Sequence, residues 1–492
     1  MFTEPSVLDN ILLGAYKRSG VDARAEAEAL LQRLPRLRER ISTRIAVMSC
    51  NRAGSFRRGG RGAGAGSRAG SRLPRQTGDS QLTMADDFIL RNARIAGRGN
   101  HTFDLAISKG CIAEIAPDIA ADLRSEDAGG SLVLPGFVDS HIHLDKSCIL
   151  DRCQIEQGTL QEAIRQVAAA KRGFTEEDVY ARASRTLEKA ITQGTTAMRT
   201  HVEVDARIGL TSFNAIRKLK ADYAWAIDLE LCVFPQEGLI NDPGTDEMLV
   251  AACEQGADLI GGCPYADSDR ALHIERIFAL ARRYDLDIDF HLDFDLDPSW
   301  TDMEEVCRQA DAHRYGGRVA IGHVTKLSAM SGGEFETWAR RLADAGVAVT
   351  VLPSTDLFLT GRDHDHDIPR GVTHAHRLSA YGVTCSLATN NVLNPFTPFG
   401  DCSLIRIANL YANVAQLGDA RALCSCFDMV TKGPARLMNL TQYGVEVGNP
   451  ADLVVLDCTD AGAAIAEIVV PLSGYKRGRR SFTRARPTLY RP

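Results

Sequence analysis

The stretch LVLPGFVDSHIHLDK, residues 132–146, decides the fold. Within it, Phe137–Ile142 has the apolar character of a buried strand and leads into a His-x-His pair, His141 and His143. Side chains two residues apart in a strand point to the same face, so both imidazoles project from one side. Neutral imidazole is a good ligand for Zn²⁺ or Fe²⁺, so the pair suggests a metal-binding function.

Seven further apolar runs follow this one, and helical patterns separate most of them. The eight predicted strands are Phe137–Ile142, Thr196–Val202, Ile227–Phe234, Leu259–Gly262, Leu286–Leu292, Val319–Gly322, Val347–Leu352 and Val383–Ala388. Strands that alternate with helices in this way predict an α/β fold, a (β/α)8 TIM barrel. Short β-like runs lie before and after it, and we expect them to pair into a small β-sandwich formed by both ends. We place the sandwich at residues 84–134 and 443–492 and the barrel at residues 135–442.

Polar side chains occur where the predicted barrel strands end. Catalytic residues of such barrels lie at the carboxyl ends of the strands. Five of the 12 histidines fall there, namely His141, His143, His201, His291 and His323. Gln236 follows the third strand and Asn390 follows the eighth. One histidine of this kind is commonly structural, but five on one rim favour a metal site, where a bound ion would generate hydroxide near neutral pH.

The composition excludes several other classes of protein. The net charge is −6 and 45% of residues are hydrophobic, so no basic excess points to nucleic acid. No apolar run reaches the roughly 18 residues that span a bilayer. The chain start has no signal-peptide pattern, and the 13 cysteines include no CxxC pair. These features predict reduced thiols and a cytoplasmic protein.

Residues 1–83 differ in character from the rest of the chain, and we expect a non-native-looking or disordered extension. Residues 51–75 are rich in Arg and Gly, and Phe56 is their only aromatic residue, which disfavours an RNA-binding tail. Residues 1–48 resemble part of the helical subdomain of a branched-chain amino-acid ABC-transporter ATPase. The chain has no G-x-x-x-x-G-K-[ST] loop, which argues against a transporter ATPase. Our hypothesis is that the native start is Met84.

The strand-end motifs together resemble the amidohydrolase superfamily, in its cytosine-deaminase-like branch, which also contains the N-isopropylammelide amidohydrolases. The motifs are LPGFVDSHIHLDK, RTHVEVD, CVFPQEG, FHLD, GHVTK, LTGRDHDHDIPRGVT and NNVLNPFTPFGDCSL. The resemblance implies a (β/α)8 barrel, a β-sandwich built from both chain ends and one Zn²⁺ or Fe²⁺ ion.

The resemblance also implies roles for single residues. His141, His143 and His291 would be metal ligands. His323 would stabilise charge beside the metal-bound water. Gln236 would hydrogen-bond the substrate ring. The resemblance assigns no role to His201, and our own expectation for it is a structural role or a supporting role near the substrate or behind a ligand.

Two positions depart from the family pattern. The fifth-strand motif of cytosine deaminase reads His-Cys-Asp-Glu, but here Phe294 replaces the glutamate. The eighth-strand aspartate, both ligand and general base in the family, is Asn390 here. An amide oxygen can still bind a metal, but it takes no proton at neutral pH. Another base is therefore needed, and His323 and Asp356 are the candidates.

We expect a metal-dependent amidohydrolase that cleaves a C–N bond of a small nitrogen heterocycle. Phe294 predicts a substrate more apolar than cytosine. A true cytosine deaminase and a degenerate, non-catalytic metal or ligand binder are the alternatives. The expected partner is the small heterocycle, with neither nucleic acid nor membrane, and a homo-oligomer stays open.

Overall fold

The structure is a computed structural model, which describes residues 87–490. The predictions for residues 1–83, including the Met84 start, lie outside the described residues. Among the helices described, none combines the length and the apolar character needed to cross a bilayer.

Strands from both ends of the described chain form one sheet. Its members are β1 (Phe88–Ile95), β2 (Thr102–Ser108), β3 (Cys111–Ala116), β4 (Arg124–Asp127), β5 (Leu132–Pro135), β14 (Leu453–Leu456), β15 (Pro471–Lys476) and β16 (Arg479–Thr483). Their order is β16-β15-β14-β5-β1-β2-β3, with β4 paired to β1. The joint between the two ends is the antiparallel β5–β14 pair, with Val133 opposite Val455. The prediction that the two chain ends meet is thus confirmed.

Eight parallel strands form the barrel in sequence order. They are β6 (Phe137–Ile142), β7 (Thr195–Glu203), β8 (Asp228–Phe234), β9 (Leu259–Ile260), β10 (Asp287–Leu292), β11 (Val319–His323), β12 (Val347–Val351) and β13 (Cys385–Leu387). The predicted (β/α)8 fold is confirmed, and β6 has the predicted bounds. The strands are continuous apolar runs because helices cover them on the outside and side chains fill the inside.

Helices lie between and after the barrel strands. They are α1 (Leu160–Ala170), α2 (Glu176–Thr192), α3 (Thr211–Asp222), α4 (Thr245–Glu254), α5 (Arg270–Tyr284), α6 (Met303–His313), α7 (Gly332–Ala345), α8 (Pro353–Leu359), α9 (Ala375–Ala380), α10 (Leu404–Val414), α11 (Ala420–Asp428), α12 (Lys432–Leu437) and α13 (Ala461–Ala466). Local signals set their ends. In α7, Ser331 and Glu334 form a capping box, and Gly346 ends the helix in the left-handed conformation, which glycine adopts without strain.

The barrel closes through the residues that follow its last strand. Ile142 and Asn390 form a parallel bridge. The Asn390 N–H donates to the His141 carbonyl at 2.8 Å, and the His143 N–H donates to the Asn390 carbonyl at 2.8 Å. The first and last strands are therefore joined at the predicted metal-site residues.

Several strand ends adopt the left-handed backbone conformation without glycine. His323 has φ 71°, Asn390 has φ 61° and Asp293 has φ 51°. Such conformations cost free energy in residues with a side chain and concentrate at functional sites. The carboxyl-end rim of the barrel is thus where backbone strain and polar side chains coincide.

Candidate active site

The structure brings all five predicted strand-end histidines together. His141 and His143 come from β6, His201 from β7, His291 from β10 and His323 from β11, and all are at most 4% exposed. The His141 ring centroid lies 5.4 Å from that of His143, 4.6 Å from that of His291 and 6.0 Å from that of His323. Parallel strands in register place their carboxyl ends on one rim, which explains why residues far apart in sequence meet here.

The Nε2 atoms of three of these imidazoles converge on one point. The Nε2 atom of His291 lies 3.1 Å from Nε2 of His141 and 3.1 Å from Nε2 of His143. Burial and nearby positive groups lower the pKa of all three rings well below the ordinary value, so the rings are neutral. Neutral nitrogens that converge in a buried site repel each other unless they share a proton or a cation. The three residues form a group that could hold a metal ion.

Asn390 is positioned beside this cluster. Its side chain is 1% exposed, and neither its Oδ1 nor its Nδ2 has a hydrogen-bond partner in the structure. Buried amide groups are almost always hydrogen-bonded. Two buried amide atoms without a hydrogen-bond partner therefore indicate that this side chain binds a ligand. Asn390 lines the same cleft as His143 and His291. This environment suits the predicted metal-ligand role of its oxygen, which stays a prediction.

His323 forms a close pair with Asp356. Its Nδ1 lies 2.6 Å from Oδ1 of Asp356, a carboxylate in the first turn of α8 that is fully buried. The backbone N–H of Leu352 donates to the other Asp356 oxygen at 3.2 Å. Burial raises the pKa of Asp356, and the His323 imidazole opposes that rise. The two candidate bases predicted separately thus form one hydrogen-bonded unit.

Phe294 lies against the same imidazole. Its ring meets the His323 ring edge-on, with centroids 4.4 Å apart, and only 8% of the residue is exposed. At the position where the resemblance to cytosine deaminases predicts a glutamate, the chain therefore offers an apolar wall. Phe294 can restrict the His323 ring, but it cannot carry a proton.

A narrow cleft of about 20 Å³, room for little more than one water molecule, lies over these residues. Its lining residues are His143, Lys146, Leu160, Gln236, Tyr265, His291, Phe294, His323, Thr355, Leu359, Asn390, Asn391 and Phe396. Among these lining residues there is no carboxylate. Its polar groups are amides, imidazoles, a phenol, the Thr355 hydroxyl and one ammonium group, and a few convergent polar groups beside apolar walls are typical of a small-molecule site.

Lys146, which the sequence did not single out, sets the orientation of Gln236. The Lys146 ammonium donates to Oε1 of Gln236 at 2.9 Å and to Oε1 of Glu203 at 2.6 Å. Lysine only donates, so the Gln236 amide oxygen must face it. One N–H of the Gln236 amide donates to Sγ of Cys263 at 3.6 Å, and the other N–H is left as a donor for the cleft. Lys146 ends the stretch LVLPGFVDSHIHLDK. Its position three residues after His143, in an apolar context, was the available signal.

His201 takes a different position from the other four histidines. It does not line the cleft and is fully buried. Its ring stacks on the His141 ring, with centroids 3.7 Å apart and planes inclined by 24°. It therefore lies beneath a candidate metal ligand.

Comparisons with known proteins agree with this arrangement. The profile of the Amidohydrolase family matches residues 132–479. N-isopropylammelide isopropyl amidohydrolase of Pseudomonas sp. (strain ADP) is 27% identical, over 80% of this chain and 96% of that protein. Pterin deaminase of Rhizobium rhizogenes (strain K84 / ATCC BAA-868) is 26% identical, over 75% of this chain and 87% of that protein. The resemblance of residues 1–48 to a transporter ATPase gains no support from these matches.

Solved structures show the same fold. The 5-methylcytosine deaminase of Klebsiella pneumoniae, crystallised with 5-fluorocytosine, superposes with a TM-score of 0.79 at 29% identity, covering 82% of this chain and 99% of that chain. The N-isopropylammelide isopropylaminohydrolase of Burkholderia multivorans ATCC 17616 gives a TM-score of 0.72 at 26% identity, covering 80% and 98%.

Proposed function

The chain belongs to the amidohydrolase family, and on that premise we propose that it is a metal-dependent hydrolase of a C–N bond in a small nitrogen heterocycle. The observation that carries the proposal is the convergence of three Nε2 atoms beside the His323–Asp356 pair in one small cleft. A pterin deaminase, an ammelide amidohydrolase and a 5-methylcytosine deaminase among the relatives support a heterocyclic substrate.

The three converging nitrogens fit one divalent ion, Zn²⁺ or Fe²⁺, held by His141, His143 and His291 with the amide oxygen of Asn390. Such an ion, when bound, would supply a nucleophile near neutral pH by lowering the pKa of water. The conflict between three neutral, buried nitrogens is the structural reason to expect it.

The His323–Asp356 pair would do the proton chemistry that Asn390 cannot. Asp356 accepts the Nδ1 proton of His323 and so fixes the tautomer in which Nε2 is free to take a proton. The same imidazole, once protonated, can pass its proton to the departing nitrogen. This pairing of a buried carboxylate with a histidine is a common arrangement for a general base that later acts as an acid.

Substrate orientation would come from Gln236. Because Lys146 holds the amide oxygen, the amide NH₂ can donate to a carbonyl oxygen or an unprotonated ring nitrogen of the substrate. Phe294 and Phe396 provide apolar walls for a flat ring. These features favour a ring that presents a hydrogen-bond acceptor at this side.

A screen of the purified full-length chain tests the proposal. After loading with Zn²⁺, Fe²⁺ or Mn²⁺, we expect one bound ion per chain by mass spectrometry and turnover of at least one pterin, triazine, pyrimidine or lactam. His141→Ala should lose both ion and turnover, whereas His101→Ala, at an exposed position, should keep both. Turnover that survives complete metal removal would contradict the proposal. Bound ion without turnover across the panel would favour a non-catalytic binder.

A true cytosine deaminase remains the second candidate, because a solved relative deaminates 5-methylcytosine. Phe294 and Asn390 argue against it, since neither can shuttle a proton to the ring. We expect the wild type to release little ammonia from cytosine and the Phe294→Glu, Asn390→Asp double variant to release more. Rapid ammonia release by the wild type would overturn this reasoning.

A further inference from the structure

A group of polar atoms without partners lies beneath His141. Asp289 of β10 is fully buried, and its Oδ2 accepts from Nη1 of Arg199 at 2.9 Å. Its Oδ1 lies 3.6 Å from Nε2 of His201 and 4.0 Å from Nδ1 of His141. Those two nitrogens and that oxygen have no hydrogen-bond partner in the structure. Three unpaired polar atoms in one buried place must share protons, a water or an ion.

The ring geometry argues against a second metal ion here. A cation bound to imidazole nitrogen lies close to the plane of that ring. The His141 and His201 rings are stacked 3.7 Å apart with planes inclined by only 24°, so no nearby point lies in both planes. The Arg199 guanidinium on Asp289 adds a positive charge next to the same place. The group is therefore suited to holding protons on the imidazoles.

We propose that Asp289 is the positioning residue that fixes the tautomer of His141. This inference rests on the metal site proposed above. The Asp289 carboxylate faces Nδ1 of His141 and favours the proton on that nitrogen, which leaves Nε2 unprotonated towards His143 and His291. His201, stacked on His141, presents its Nε2 to the same carboxylate oxygen and prevents the ring from turning away.

Asp289 serves one ligand of the three. The Nδ1 atoms of His143 and His291 also lack hydrogen-bond partners, and in the described chain no carboxylate oxygen lies within 4.0 Å of either. The Arg199 guanidinium supplies a positive charge beside this buried carboxylate. It also pairs with Glu230 of β8, at 3.1 Å.

An amide at position 289 would reverse the pattern. In Asp289→Asn, Arg199 can only donate, so it would hold the amide oxygen and leave the NH₂ facing His141 and His201. A donor at that point favours the His141 tautomer with the proton on Nε2, which cannot bind a metal. We expect the dissociation constant for Zn²⁺, measured by chelator competition, to rise by about 10- to 100-fold.

Glu230→Gln is the matched control. It removes one carboxylate charge from the same arginine, but Glu230 is not among the groups that contact His141, so the Zn²⁺ dissociation constant should stay unchanged. Thermal unfolding of both apo-variants reports whether the fold is kept. Asp289→Glu restores a carboxylate and should recover part of the affinity. The absorption bands of bound Co²⁺ should shift in Asp289→Asn and stay as in the wild type in Glu230→Gln.

The outcomes separate this inference from the proposed function. A wild type that binds Zn²⁺, with Asp289→Asn binding it equally well, would overturn the role of Asp289 and leave the proposed function standing. A wild type that binds no ion would overturn both. Should Asp289→Asn fail to fold, ¹⁵N-histidine NMR of the Zn²⁺-loaded wild type decides. A proton on Nδ1 of His141 supports the inference, and a proton on Nε2 contradicts it.

Discussion

Asn390 cannot take up a proton near neutral pH, so under the proposed function the proton transfers would depend on the pair formed by His323 and Asp356. Either residue alone would be a poor base in this setting. The imidazole without its carboxylate could adopt the wrong tautomer, and the carboxylate alone does not line the cleft. Their hydrogen bond is the basis for proposing a base in a site where Asn390 stands in place of the aspartate that the family resemblance implies.

We expect Asp356→Asn to lower kcat by about 10²- to 10⁴-fold, because an amide can hold His323 in the wrong tautomer. The bound metal should stay at one ion per chain, measured by mass spectrometry, since Asp356 is not among the clustered ligands. Asp363→Asn, an exposed position on the following loop, is the control and should keep full kcat. An unchanged kcat in Asp356→Asn would show that His323 works without its partner.

The sequence pointed to the clustered histidines, but not to the residues that contact them from behind. Histidines at strand ends are visible because the barrel pattern says where each strand stops. Lys146 contacts Glu203 and Gln236, and Asp289 contacts Arg199; these partners lie on or after other strands. Which of many buried charges meet depends on the register between strands, and no local pattern encodes it.

At the scale of elements, the loop after β8 is held by one carboxylate. Asp267 is buried, accepts from the backbone N–H groups of Leu239, Ile240 and Asn241, and lies 2.6 Å from Nδ1 of His273. This loop follows directly on Gln236. Its conformation therefore supports the residue proposed to orient the substrate.

Burial alone would raise the pKa of Asp267, but the bonds from His273 and the backbone outweigh it and lower the pKa to about 2. A depressed pKa contributes stability that is present above the unfolded value of 3.8 and is lost as the pH falls towards 2. We expect Asp267→Asn to reduce the free energy of unfolding at pH 7 by about 3 kcal/mol. Urea unfolding at several pH values should show a loss of stability between pH 4 and pH 2 that is smaller in the variant by about 2 kcal/mol. Equal losses would contradict this assignment.

The shortest barrel strand depends on a glycine. β9 contains only Leu259–Ile260, and a Cβ atom on the next residue, Gly261, would lie 2.1 Å from the backbone oxygen of Asp289. The neighbouring strand β10 can approach closely only because this position has no side chain. The sequence pattern predicted a longer strand, Leu259–Gly262, because apolar character alone does not reveal this approach.

We expect Gly261→Ala to lower the free energy of unfolding by about 1–3 kcal/mol, because the new methyl group must displace the β10 backbone. Urea denaturation measures the loss. Gly256→Ala is the comparison, because no atom lies within 4 Å of its Cβ position. It tests whether any added methyl group destabilises this region. The backbone φ there is 95°. A loss at Gly261 no larger than at Gly256 would show that close approach to β10 is unimportant.

At the scale of the whole molecule, one sheet joins both ends of the described residues, and we expect it to set the limits of the folding unit. β1 begins at Phe88, and the family profile begins to match at residue 132. We expect a chain that starts at Met84 to keep the melting temperature and turnover of the full chain, measured by thermal unfolding and the activity screen. A chain that starts at Gly136 lacks β1–β5 and exposes the apolar face of β14, so it should aggregate. A lower melting temperature for the Met84 start would argue that residues 1–83 take part in the fold.

The overall architecture was the most predictable level, because apolar periodicity repeats along the whole barrel and errors at one strand do not change the count. The last strand was the least well bounded, at Val383–Ala388 against Cys385–Leu387. Its end is set by the bridge to Ile142, a residue about 250 positions earlier. Contacts of that separation leave no trace in a local window of sequence.

That closing bridge also has a consequence for the order of events during synthesis. Thr389 and Asp139, which are 250 residues apart, are hydrogen-bonded next to it, and the backbones of Asn390, His141 and His143 are joined there. A nascent chain emerging from the ribosome carries both β6 imidazoles long before the residues that fix their backbone exist. The complete cluster can form only after translation has passed the eighth strand. Ion capture would then be a late, post-closure event, and the unfinished chain would present scattered imidazoles instead of a competing binding site.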